Sequence, residues 1–271
     1  FLNAEGQLFT KKVPSSVDDY ARAIVEGMSE VFGEAGLKPE DVEELRHGTT
    51  VASNAILELK GAKVGLITSA GFRDILEIRT LRMPVLYDLT WEKPPALVER
   101  YLRQVVDERI RSNGVVERAP KRSDIEKAVD CLLEQNVEAI AVCLINSYAN
   151  PEHEQLIAEV VSQKAPDLPL CISSDVLPEM KEYERTSTTV INAYVLPVVA
   201  TYLSALRKGL DKGGISVPIY LMQSNGGLTT SEAASRLPMH IIESGPAGGV
   251  IGSQSIADAS GIENVISFDM G

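Results

Sequence analysis

The spacing of apolar residues divides the chain into short segments of two kinds. Unbroken or alternating apolar runs read as strands, and runs with apolar residues three and four apart read as helices. After a turn signal at Asn3-Ala4-Glu5-Gly6, Gln7 to Val13 reads as a strand. Ser16 caps a helix from Val17 to about Gly33, with Asp18 and Asp19 in the first turn where the dipole favours acids. Pro39 starts one more helical turn. Leu45 to His47 is a short strand, Gly48-Thr49-Thr50 turns, and an amphipathic helix ends near Leu59. Lys63 to Thr68 is a buried-type strand, and Gly71-Phe72 opens a short helix through Leu76. From Glu77 to Pro95 periodicity fails; this is a long loop holding Arg79, Arg82, Tyr87 and Trp91.

The second half is more regular. Leu102 to Ile110 and Gly114 to Arg118 read as a hairpin around Asn113-Gly114. Ser123 caps a helix to about Gln135, Ala139 to Ile145 is a strand buried on both faces, Asn150-Pro151 caps a helix through Lys164, and Leu168 to Ser173 is a strand. Repeated βα units predict an α/β fold with a largely parallel sheet. Tyr183 to Leu210 reads as one long helix, bent where Pro197 removes an N–H. Val217 to Met222 is a strand running into Ser224-Asn225-Gly226-Gly227, and Thr230 to Ser235 is a short helix. The closing stretch reads as strand (Met239 to Ile242), glycine turn (Gly245 to Gly249), helix (Val250 to Ala259, stopped by Gly261) and strand (Val265 to Phe268) with Asp269 at its tip.

Composition narrows the class. With 44% hydrophobic and 24% charged residues over 271 positions, a packed globular core is expected, in one large or two ordinary domains. A formal net charge of -12 argues against a nucleic-acid surface. Cys131, Cys143 and Cys171 sit on apolar runs without metal spacing and read as reduced core thiols of a cytoplasmic protein. No apolar run is long enough to span a membrane, and no signal peptide precedes Phe1. Phe1 and Gly271 both read as cut edges of something longer.

Candidate chemistry gathers at the turns. The closing unit suits a phosphate, because helix-start N–H groups lack partners and glycines admit the anion closely; Asp269 at a strand tip could hold Mg²⁺. It reads equally as an ordinary α/β turn with a capping acid. Thr49 and Thr50 at a helix start either hold a phosphate or polarised carbonyl or form a doubled N-cap. His47 is an acid–base group, an oxyanion donor or a structural residue, and Asn54 shares Thr50's helical face. Ser224 and Asn225 either line the same cleft or form a plain turn. Glu184 and Arg185 are substrate contacts or a solvated helix start. His153 and Glu154 read as surface, and His240 as packing. The motifs GxSxG, HExxH and GxxxxGK[ST] are absent.

Five collinear stretches carry a resemblance. They are His47 to Ile78, Tyr183 to Pro197, Met222 to Gly227, Glu243 to Gly249 and Phe268 to Gly271. Together they resemble the N-terminal region of the hydantoinase A / 5-oxoprolinase family, which also includes subunits of acetone and acetophenone carboxylases. The resemblance implies an actin-like ATPase (ribonuclease H-like) first lobe with an additional α/β region, its mostly parallel or mixed sheets flanked by helices. It divides the chain into an N-terminal region, 1–177, and the start of a core domain, 178–271.

What it implies chemically is an ATP- and Mg²⁺-dependent enzyme that phosphorylates a cyclic amide carbonyl for ring opening, with a hydantoinase B-type subunit or domain as partner. Homo-oligomers are compatible with it; nucleic-acid and membrane partners are not implied. Ketone carboxylation and a non-catalytic assembly role are the alternatives. Carried over onto this sequence, Asp269 and Gly271 match the start of a DMGGT-type phosphate motif, and Gly245, Ala247, Gly248 and Gly249 form the glycine corner. His47, Thr49, Thr50 and Asn54 are the candidate catalytic residues. A second phosphate motif is expected before Phe1, so the isolated chain is expected to lack ATPase activity. Arg79-Thr80 stands where the family frequently has Gly-Arg.

Overall fold

The computed structural model describes residues 1–3, 6–14, 20–80, 82, 84–85 and 87–268. The chain forms two compact units: Phe1–Glu58 together with Val198–Gly271, and Leu59–Pro197.

The inserted unit, Leu59–Pro197, is built on a four-stranded sheet ordered β3-β2-β6-β7. Its strands are β2 (Val64–Ser69), β3 (Arg103–Val106), β6 (Ala139–Cys143) and β7 (Leu170–Ile172), and every neighbouring pair is parallel. Both β2 and β6 are buried at every position, as unbroken apolar runs require. Against the sheet pack α4 (Arg122–Glu134) and α5 (Glu152–Lys164). Leu132 of α4 is fully buried and lies so close to Gly65 that a Cβ there would sit 2.7 Å from its Cδ1. A side chain at position 65 would drive helix and strand apart. Completing this unit are α3 (Ile75–Ile78), α6 (Ser173–Val176) and the first half of α7 (Glu182–Lys212).

The other unit holds a mixed sheet, β1-β8-β9. Strand β1 (Leu45–His47) pairs parallel with β8 (Ile219–Met222), placing His47 opposite Leu221; β8 pairs antiparallel with β9 (Leu228–Thr230). Around it are α1 (Tyr20–Ala35), α2 (Val51–Leu57), α8 (Ser231–Arg236), α9 (Ser244–Ala259) and the second half of α7. By length and composition α7 is apolar enough to cross a membrane, unlike the expectation from the sequence. More than half of its most apolar window is buried in the fold, with Val190, Tyr194, Val199, Leu203, Leu206 and Leu210 among the core residues.

Several expectations are corrected. Gln7 to Val13 is no strand; one antiparallel bridge joins Leu2 and Leu8. The proposed hairpin splits: Arg103–Val106 joins the parallel sheet, and only Arg109–Ile110 (β4) pairs with Val116–Arg118 (β5), across a turn in which Gly114 has φ +82°. Lys121, not Ser123, precedes α4. Pro238 starts a 3-10 turn over Pro238–Ile241 where a strand was expected, since proline fixes a helical φ. The glycine corner is not a turn but the first two turns of α9. Val265 to Phe268 finds no partner strand among the described residues and stays exposed. Cys131 is exposed, while Cys143 and Cys171 are buried. The proposed cap and first turn from Ser16 to Asp19 lie outside the described residues.

Candidate functional site

Because β1 and β8 are parallel neighbours, their carboxyl ends open at one edge of the sheet, where α/β proteins hold ligands. The β1 end continues into Gly48-Thr49-Thr50 and then α2. Here the chain meets the start of α9 through a reciprocal pair: Thr49 N–H donates to Ser244 Oγ at 3.1 Å, and that hydroxyl donates to Thr49 C=O at 2.7 Å. Ser244 is fully buried, and Thr49 nearly so. Gly245 lets the helix approach this closely, for a Cβ there would stand 3.0 Å from Thr50 Cγ2. Gly48-Thr49-Thr50 and the start of α9 are therefore in contact.

The threonines divide their work. Thr49 Oγ1 accepts from Val51 N–H at 3.3 Å, whereas Thr50 makes no side-chain cap. Thr50 is exposed, and its Oγ1 accepts from Asn54 Nδ2 at 3.3 Å, the contact that i, i+4 spacing on α2 predicts. His47 turns the other way. Its Nε2 lies 2.6 Å from the Tyr202 hydroxyl, on the second half of α7. Burial without a charged partner pushes the His47 pKa down to about 4 and the Tyr202 pKa up. His47 is therefore neutral near pH 7, and Tyr202 keeps its proton.

Ser224 and Asn225 follow β8 in an exposed turn. Ser224 Oγ donates to His240 C=O at 2.9 Å and accepts from Glu243 N–H at 3.1 Å, tying the β8 end to the residues that lead into α9. Asn225 Oδ1 accepts Gly227 N–H at 2.9 Å, an Asx turn, and Gly226 takes φ +85°. His240 offers its carbonyl here while its side chain is exposed, so it does not pack as expected. Ala247, Gly248 and Gly249 are helical; a Cβ on Gly248 or Gly249 would meet nothing within 4 Å, which leaves that face of α9 open. Asp269 and Gly271 lie outside the described residues, and among those described no three metal-ligating side chains cluster.

Arg185 is corrected most sharply. It is fully buried in the inserted unit, donating to Leu144 C=O and Glu179 C=O, both at 2.7 Å, with its guanidinium 5.4 Å from the Tyr148 ring centroid. It braces the fold, and the expected solvated helix start is the reading that its burial overturns. Its neighbour Glu184 is half-buried at the start of α7.

His153 and Glu154 are also not surface residues. Their exposures are 3% and 0%, and they close the carboxyl edge of the four-stranded sheet. Glu154 accepts from Leu144 N–H (2.9 Å), Ser174 N–H (2.9 Å) and Ser173 Oγ (2.6 Å). His153 Nδ1 lies 2.7 Å from Glu108 Oε2, and Ser69 Oγ donates to the other oxygen of Glu108 while accepting Ile145 N–H. The carboxylate stands between serine and histidine, so the order of a Ser–His–acid triad is not formed. The signal was in the sequence: His153, Glu154, Ile157, Val160 and Val161 share one face of α5, so the apolar periodicity carries both polar residues inward.

The family description "Hydantoinase/oxoprolinase N-terminal region" matches residues 1–165, and "Hydantoinase/oxoprolinase" matches residues 185–271. Caprolactamase subunit alpha of Pseudomonas jessenii is 36% identical over 98% of this chain and 39% of its own length. The crystal structure of the ATP-dependent caprolactamase from that organism superposes with a TM-score of 0.85 at 34% identity, covering 100% of this chain and 40% of that one. A nucleotide-free acetone carboxylase structure gives 0.81 at 25% identity, covering 91% and 37%. The chain thus spans about two fifths of the length of these proteins.

Proposed function

We propose, because the chain belongs to the hydantoinase/oxoprolinase family, that it forms part of an ATP-dependent enzyme that activates a cyclic amide carbonyl for ring-opening hydrolysis. The observation that supports this most is the join at Thr49 and Ser244, which brings the β1 corner and the start of α9 together. An anion fits this place in kind: the N–H groups of Ser244 and Gly245 at the helix start have no intrahelical acceptor, Gly248 and Gly249 carry no side chain, and the Thr50 hydroxyl is exposed. ATP, when bound, supplies the phosphoryl group that makes a carbonyl oxygen a leaving group. The chain's own residues orient and neutralise: α9 and Thr50 meet phosphate oxygens, Ser244 fixes the corner, and Asn54 sets the Thr50 rotamer. Asp269 is the residue proposed to hold Mg²⁺.

The partner in this reading is a hydantoinase B-type subunit, in line with relatives that are themselves named as subunits. Three free thiols suit a reducing, cytoplasmic compartment. Ketone carboxylation is the second reading, favoured by the likeness to acetone carboxylase. The test is ADP release by the enzyme assembled with its partner subunit. Stimulation by a lactam, a hydantoin or 5-oxoproline is expected. No stimulation by any of them rejects the main reading, and bicarbonate-dependent turnover with acetone or acetophenone selects the second.

A further inference from the structure

The first backbone N–H groups of a helix have no acceptor inside it, and each must be settled in some other way. For α9 they belong to Glu243, Ser244, Gly245 and Pro246. Proline has no N–H to settle. The Glu243 N–H is taken from outside the helix, by Ser224 Oγ at 3.1 Å. The Glu243 side chain stands where a helix is ordinarily capped, yet it makes no cap hydrogen bond. The N–H groups of Ser244 and Gly245 remain, and neither has an acceptor among the described residues. Ser244 is fully buried, so water is a poor substitute there.

Ser224 holds this arrangement from the end of β8. Its N–H donates to His240 C=O at 2.7 Å and its hydroxyl to the same carbonyl at 2.9 Å, while the hydroxyl oxygen accepts Glu243 N–H. One residue thus fixes both ends of the bend, 240–243, that leads into α9. The same turn touches the helix again further along: a Cβ on Gly226 would stand 3.0 Å from Ile251 Cδ1. From the end of β1, Thr49 holds Ser244.

We propose that Ser224 is a positioning residue: it caps α9 from the end of β8 in place of the helix's own side chain, and so keeps the Ser244 and Gly245 N–H groups fixed and free to donate to a phosphoryl oxygen. It acts through α9 rather than on the substrate. The ligand class rests on the nucleotide reading given above; the cap does not. A cap made by the Glu243 carboxylate would reach the second or third N–H of the helix. With Pro246 at the third position, it would consume the Gly245 N–H and set a negative charge where an anion has to sit. A neutral hydroxyl from a neighbouring strand settles the first N–H and leaves the next two open.

Ser224 is exposed, so Ser224→Ala opens no cavity, and His240 C=O keeps the backbone N–H of residue 224. Amide hydrogen exchange in the enzyme assembled with its partner subunit, resolved to single residues by fragmentation mass spectrometry, tests the cap. Glu243 N–H should exchange slowly in the parent and in Ser224→Thr, which keeps the hydroxyl, and on the order of tenfold faster in Ser224→Ala. Equal exchange in all three forms overturns the cap.

The positioning role is read from ATP–Mg²⁺ titration calorimetry of the same forms with no lactam present. Ser224→Ala should bind on the order of tenfold more weakly than the parent, and Ser224→Thr within a few-fold of it. Unchanged ATP affinity in Ser224→Ala overturns the role, and a raised KM for the lactam in that case makes Ser224 a substrate contact. Absence of ATP binding in every form, the parent included, sinks the nucleotide reading, while exchange at Glu243 still decides the cap.

Discussion

Acidification should weaken the unit that contains His47, by an amount the structure sets. The ring is buried beside a neutral phenol and has a pKa of about 4, against 6.5 for the free side chain. Between those values the unfolded chain binds a proton that the folded chain refuses. Stability therefore rises with pH across this window: the contribution is fully present above about 6.5, falls as the pH drops and levels off below about 4. A separation of about 2.5 units corresponds to about 3 kcal/mol between pH 7 and pH 4. Urea unfolding followed by far-ultraviolet circular dichroism at both pH values, for the parent and for His47→Gln, isolates the term. Every ionisable group other than His47 is common to both proteins and cancels in the difference. The parent should lose about 3 kcal/mol more than the variant on acidification. Identical losses would show that His47 is not held neutral by burial, and the account of the corner would fall with it.

Three further outcomes are expected. Arg79 sits at φ 56°, ψ −142°, a region that favours glycine, and its half-buried side chain donates to Pro94 C=O in a solvent-exposed bond; Arg79→Gly should raise the thermal midpoint by the equivalent of about 1 kcal/mol, and a fall would contradict the strain. Glu154→Ala strands two backbone N–H groups and a buried hydroxyl, so it should cost about 3 kcal/mol or more in urea unfolding, and a neutral effect would refute the network. An aromatic disulfide reagent should label one thiol per native chain, Cys131, and three after denaturation. Cys143 and Cys171 are shielded, with burial raising both thiol pKa values, that of Cys171 to about 11; rapid labelling of either in the native chain would count against the core packing.

Much of the fold was legible because single segments declare themselves. The unbroken apolar runs of β2 and β6, the glycine at 114 and the threonines after β1 each carry a local cause that tertiary packing did not override. Where the reading failed, the cause was non-local. Met239 to Ile242 and Val265 to Phe268 are strand-like in composition, yet a strand exists only with a partner, and Pro238 commits the first of them to a helical turn. Polarity misled at His153 and Glu154, where helical spacing pointed inward; the buried face of α4 passes through Ala128, Val129 and Leu132 and leaves Cys131 outside. At the candidate site, Thr50 with Asn54 was readable from spacing on α2. Ser244 and Tyr202 were not, because each joins residues distant in sequence through one hydroxyl.

The arrangement of the two units bears on how the molecule is made. One is continuous, Leu59–Pro197; the other is assembled from segments on either side of it. On the ribosome, β1 emerges early, but β8 follows only after the whole insert has been translated. During that interval the strands of the insert's own sheet are all made, while β1 waits without its β8 partner. A defect in the insert that delays or traps the nascent chain would deplete the finished Thr49–Ser244 join without altering a single residue near it.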